Sequence, residues 1–343
     1  MQYTIYDRKT TIHSISPDLS YFNATIAAGK KGRELNMAKE LSNQAKWRPW
    51  KGVLLFVVAF MVVLAGSIAT IFIGSYGTLL TQIGLLATAV IACLINKTPL
   101  KEVFPLKKIT VRDFFGTVLM WMGALPLGII SATAVGKLMP DVMESVASDV
   151  NNIATGVIVV GLIATVICPP ICEEAIMRGA VLSNFRGVKK DWVIILVVAV
   201  MFGILHMDPV RFLNTTLLGA CMAYLMVKRN NFILPMMFHF INNFVTIGMS
   251  SISTLFASQA ADQAVDMSES VNEMIDLLPV FMIAAFLCPM ILAIGAHLIK
   301  RQAEISEGKE QTGMKLGAKI GISAIPCVLL LGGGIILTAC SMK

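Results

Sequence analysis

The sequence predicts an all-α protein that crosses a membrane many times, a polytopic transmembrane helix bundle. Three observations predict it. Of 343 residues, 56% are hydrophobic and only 14% charged, with a mean hydropathy of +0.75, a composition of bilayer-spanning chains rather than of soluble domains. The apolar residues fall into nine runs, at roughly 53–73, 78–95, 114–137, 153–182, 191–207, 210–227, 232–250, 277–299 and 317–340. The basic residues fall between those runs, on alternate connections.

Taken in order, residues 1–51 read as a polar tail with nine Lys or Arg, containing a short helix over 31–45 and ending in Trp47 and Trp50, which mark a membrane interface. The first apolar run starts too late for a cleavable signal peptide, and Asn23-Ala-Thr reads as a chance glycosylation match on a cytoplasmic tail. The connection 74–77 has no basic residue, whereas 96–113 has five. The connection 139–152 is acidic; Arg186, Lys189 and Lys190 follow the fourth run, and Lys228 and Arg229 follow the sixth. The long connection 251–276 is acidic with no basic residue, and 300–319 is basic again. This alternation places the N-terminus in the cytoplasm and the C-terminus outside. It makes the net charge of +7 a report on topology, with no nucleic-acid partner implied. The chain divides into the basic tail 1–51, a transmembrane core 52–300 with its active region over about 153–250, and an appended loop and ninth span over 301–343. The seven cysteines sit in or at the ends of apolar runs without a CxxC pair and read as small buried hydrophobes.

The chemistry concentrates in Cys168-Pro-Pro-Ile-Cys-Glu-Glu-Ala-Ile-Met-Arg178. Ionisable groups at membrane depth are expensive and are read as functional. Glu174 and Arg178 are four apart with the acid first, a favourable order for an ion pair on one helix face. Glu173, about 100° away around the helix, has no local partner. Pro169 and Pro170 remove two backbone donors, which predicts a kink with freed carbonyls and room for water. Phe202-Gly-Ile-Leu-His206 and His239-Phe-Ile-Asn-Asn243 then place further polar groups on two later spans, each pair one turn apart. His13 and His297 read as ordinary surface or interfacial residues.

Two chemistries fit these groups. In one, Glu173 is the general base, His206 orients the attacking water, and His239 and Asn243 donate to a tetrahedral oxyanion. In the other, Glu173, His206 and His239 hold one divalent metal, zinc, with a fourth position for water, although no HExxH helix is present. The first is favoured, because acceptors behind the two imidazoles are not visible in the sequence.

Glu173-Glu174-x-x-x-Arg178, Phe202-x-x-x-His206 and His239-x-x-x-Asn243, in that order on successive spans, resemble the CPBP family of intramembrane endopeptidases, relatives of the type II CAAX prenyl proteases that include bacteriocin-immunity proteins. The resemblance implies an eight-helix core with an active site inside the membrane, open towards the cytoplasm. It implies that Glu173 and His206 activate water, that His239 and Asn243 form the oxyanion hole, and that Glu174, Arg178 and Phe202 support the site. The expected partners are a peptide or membrane-protein substrate and membrane lipid, in a prokaryotic cell membrane.

Two alternatives stand beside this reading. Buried Glu and His also build proton-coupled transporters, but the paired repeats and second helix break of those folds are not found. A non-catalytic immunity or binding protein would keep the site only as a scaffold. One geometric difficulty is visible. At 1.5 Å per residue, Glu173 and His239 lie about 13 and 10 Å from the inner ends of their spans, and His206 about 22 Å. His206 joins the others only if its span starts later or tilts, or if the bundle dips inward around Pro209. Cys340-Ser-Met-Lys343 resembles a prenylation box, but its terminal Lys and outside location give it no role.

Overall fold

A computed structural model describes residues 48–143, 158–248 and 275–341. The expected helix over 31–45, Asn23, His13 and most of the acidic connections lie outside the described residues. Among the described residues all regular structure is helical.

Helix α1 (Pro49–Ile73) and α2 (Ser75–Ile95) form a hairpin turned by Gly74, whose φ of +55° lies in the left-handed region that favours glycine. A short turn, α3 (Leu100–Val103), leads to α4 (Val111–Leu138), which starts with a reciprocal cap: Thr110 Oγ1 accepts from the Asp113 amide and Asp113 accepts from the Thr110 amide. The next long helix, α5, runs through Ile158–Leu162, Ile163–Ile167, Cys168–Glu174 and Ala175–Val181, the second and fourth of these segments being π-helical. Then follow α6 (Asp191–Leu205), α7 (Pro209–Arg229), α8 (Ile233–Asn243, continued by a π turn over Phe244–Gly248), α9 (Leu278–Ala284), α10 (Cys288–Ser306) and α11 (Leu316–Ser341). Asp208 caps α7 by accepting from the amides of Val210 and Arg211, and Pro209 occupies its first turn, where a missing donor does no harm.

Helices α1, α2, α4, α5, α7 and α11 are long and apolar enough to cross a bilayer, and α9 with α10 makes a seventh candidate span bent by 46°. Their outward faces carry exposed Ile, Leu, Val and Phe, as at Ile71 and Phe72, a surface suited to lipid rather than water. Within the described residues the nine apolar runs are essentially helical, but α6 is shorter than expected, with 15 residues, about 22 Å. A 30 Å hydrocarbon layer is longer than α6.

Helices α2, α5, α6, α7 and α8 surround the polar cluster, while α4, α10, α9 and α11 build the other side of the bundle. Close approach between α4 and α10 depends on the absence of side chains: a Cβ on Gly295 would lie 2.7 Å from the Met120 backbone nitrogen, and one on Gly123 2.6 Å from that of Leu292. Below, Arg229 clasps Asp113 through two bonds, Nε to Oδ1 at 2.6 Å and Nη2 to Oδ2 at 3.0 Å, and Nη1 reaches the Gln302 carbonyl and Ser306. One side chain thus joins α4, α7 and α10.

Candidate active site

The two prolines of α5 do not break it. The helix continues through them because the preceding turn, Ile163–Ile167, widens to π spacing, with the Cys168 amide bonded to the Ile163 carbonyl. The Thr165 carbonyl is left without a backbone donor, since its partner at α spacing is Pro169 and at π spacing Pro170. Asn243 of α8 supplies the donor instead: its Nδ2 lies 2.9 Å from the Thr165 oxygen. The expected kink is therefore replaced by a wide turn and a side-chain hydrogen bond.

One turn on, the adjacent carboxylates have different surroundings. Glu174 is fully buried. Its Oε1 is shared by Arg178 Nη1 at 2.9 Å and His239 Nδ1 at 2.8 Å. Arg178 is also fully buried, donates Nη2 to the Gly219 carbonyl of α7 at 3.1 Å, and lies 4.2 Å from the centre of the Phe202 ring. Phe202 in turn meets both imidazoles edge-on, His206 at 4.7 Å and His239 at 5.9 Å between ring centres. These contacts make one continuous stack across α5, α6, α7 and α8. The pair is held by its own bond, the His239 ring and the Gly219 carbonyl, while Glu174 Oε2 and Arg178 Nε are buried without a hydrogen-bond partner among the described residues.

Glu173 is different. Its side chain keeps 14% of its surface, and one oxygen, Oε1, accepts from Gln82 Nε2 of α2 at 2.9 Å. The other, Oε2, faces His239 Nε2 across 4.0 Å. That gap is too long for a direct hydrogen bond and suits a water sitting off the line between them. With the His239 Nδ1 proton directed at Glu174, Nε2 presents a lone pair to the gap. His206 is held in the same way, its Nδ1 donating to the Phe202 carbonyl at 2.8 Å. Both imidazoles thus have the acceptors that the sequence did not disclose.

Glu173, Gln82 and His206 line a cavity of about 920 Å³ that extends to Gly74 and Ser75 of the α1–α2 turn and to Met207 and Arg211 beyond α6. His239 and Asn243 do not line it: His239 stands behind Glu173, and Asn243 faces Thr165. The depth difficulty at His206 does not keep it from the site: α6 stops at Leu205, and His206, the next residue, lines the same cavity as Glu173.

Gln82 is the residue that sequence reasoning missed. It carries no motif, but it is the only Gln, Asn or charged residue of α2, and an amide alone in an apolar span is a signal in itself. Its own Oε1 is buried without a hydrogen-bond partner among the described residues. Among those residues no group of three or more His, Cys, Asp or Glu side chains is placed to hold a metal ion.

The fold and this cluster define an integral, multi-pass membrane protein that holds a group of ionisable side chains inside its helix bundle. Residues 155–245, the stretch that contains all three motifs, match the family model of type II CAAX prenyl endopeptidase Rce1-like proteins. That match supports the CPBP, CAAX protease-like family and, at the level of the family, an intramembrane protease acting on a peptide or protein. No curated protein and no solved structure matches the chain.

Proposed function

We propose that this protein is an intramembrane endopeptidase in which Glu173 activates water for attack on a peptide bond. A water placed between Glu173 Oε2 and His239 Nε2 donates one hydrogen to each. Its lone pairs then point away from both, towards the cavity where a scissile carbonyl would lie. Gln82 holds Oε1 and so leaves Oε2 to take the proton. As the water attacks, Glu173 accepts that proton and later returns it to the leaving amine, the usual exchange of base and acid roles in one carboxyl. The second amide hydrogen of Asn243, the one not given to Thr165, is the candidate for stabilising the oxyanion, which requires the peptide carbonyl to reach past Glu173 towards α8. Glu174, Arg178 and Phe202 carry no proton in this scheme; they fix the rings of His239 and His206.

The observation that carries the reading is the asymmetric environment of Glu173, a residue of the family-matched stretch: one oxygen anchored, the other facing an imidazole at water-bridging distance, on the wall of a cavity. The test compares peptides newly generated in cells carrying the wild type or Glu173→Gln. Expected are cleavage products present with the wild type and absent with the variant at equal protein levels. Identical peptide sets would overturn the proposal.

A further inference from the structure

Most of the basic residues gather at one end of the bundle, with Lys137 and Arg211 at the other, and the cavity reaches that other end. At the basic end Lys51 bonds Asn96 at 3.1 Å, Lys228 pairs with Asp191 at 2.6 Å, and Arg186 donates to the Glu102 carbonyl at 3.0 Å. These contacts tie together the start of α1, the end of α2, the loop before α6 and the end of α7. Lys97, Lys101, Lys189, Lys190 and Arg229 lie on the same connections. The cavity instead runs to Gly74 and Ser75, in a turn with no charged residue, and to Met207 and Arg211, the latter paired with Asp208 at 2.7 Å. Gln82 is seven residues from the start of α2 and thirteen from its end, so along α2 the Gln82–Glu173 bond lies about 10 Å from that turn and about 20 Å from the basic end, while along α5 Glu173 lies about 13 Å from the inner end of its run.

The cavity wall also selects its occupant. The hydroxyl hydrogens of Ser67, Thr70 and Thr81 are committed to carbonyls of their own helices, at Val63, Gly66 and Gly77, which leaves oxygen lone pairs towards the cavity. These acceptors can take the free N–H groups of an extended polypeptide, beside the donors Tyr76, Thr78 and Arg211 and an apolar lining.

We infer that the cavity is entered from the non-cytoplasmic face, and that its ligand is an extended polypeptide segment presented on that face. Basic connections stay in the cytoplasm, which puts the Gly74 turn outside. This departs from the cytoplasmic opening that the family resemblance implies, and the statement about substrate rests on the peptidase reading above.

The experiment uses single added cysteines in the full-length Cys340→Ser protein, which removes the one exposed thiol among the described residues. Ser75→Cys sits at the cavity entrance, and Lys101→Cys is exposed at the basic end. The probe is a membrane-impermeant maleimide, applied to intact and to permeabilised cells. Expected in intact cells is labelling of Ser75→Cys roughly tenfold stronger than that of Lys101→Cys, with equal labelling after permeabilisation. Lys101→Cys labelled in intact cells with Ser75→Cys protected overturns the inference, as does Ser75→Cys unlabelled in both conditions. The peptidase reading fails separately: if Glu173→Gln cleaves like the wild type, the labelling pattern still decides which face the cavity opens on.

Discussion

Asn243 donates from Nδ2 to the Thr165 carbonyl at 2.9 Å, the one carbonyl that Pro169 and Pro170 together leave without a backbone donor. A residue expected to serve an oxyanion is thus also what allows α5 to pass through two prolines beside its paired carboxylates. Removing it strands a buried acceptor. Asn243→Ala is expected to lower stability by about 1–3 kcal/mol in detergent unfolding experiments. Pro169→Ala restores a backbone donor, so the same Asn243→Ala change should cost much less in that background. Equal losses in both backgrounds would show that the two residues are not coupled.

The neighbouring carboxylates should separate cleanly. Glu174→Gln leaves the fully buried Arg178 without its counter-charge and is expected to destabilise the protein by about 3–5 kcal/mol, seen as a lower midpoint of thermal unfolding and reduced membrane levels. Glu173→Gln keeps its bond to the α2 amide in altered form and should stay within about 1 kcal/mol of the wild type while losing cleavage. A Glu173→Gln protein as unstable as Glu174→Gln would count against assigning chemistry to one acid and support to the other.

Gln82→Leu removes the anchor on Glu173 and the orphan acceptor at once. Because it also removes an unsatisfied buried oxygen, it should leave stability unchanged or slightly raised. Turnover should fall roughly tenfold or more, with KM little altered, since the carboxylate loses its fixed orientation rather than its affinity for peptide. Gln82→Asn, too short to reach, should resemble Gln82→Leu. Full turnover in either variant would remove Gln82 from the mechanism.

At the basic end, Arg229→Ala breaks a two-bond contact to the buried Asp113 and is expected to cost about 3 kcal/mol or more. Arg229→Lys keeps the charge but cannot reproduce the fork, and should recover only part of that loss. Unfolding midpoints of the three proteins test the order.

Much of this was legible in the chain because its signals are periodic or spaced. The apolar runs mark the helices, and the four-residue spacings put Glu174 beside Arg178 and Phe202 beside His206. What escaped is what depends on contacts across helices. Gln82 meets Glu173 from 91 positions away, with nothing in its own span to announce a partner. The wide turn at Ile163–Ile167 was hidden because prolines signal lost donors but do not say how the neighbouring turn adapts. The true length of α6 was blurred because hydropathy continues past Leu205, although Asp208-Pro209 marks where α7 begins.

Helix α6 stops about 8 Å short of the hydrocarbon thickness that its neighbours match. Lipid beside it must either pinch or yield to solvent, and a hydrolytic centre sunk in oil has need of the latter. A short rod of this kind favours a locally thinner barrier, which would bring solvent nearer the interior without any channel having to open.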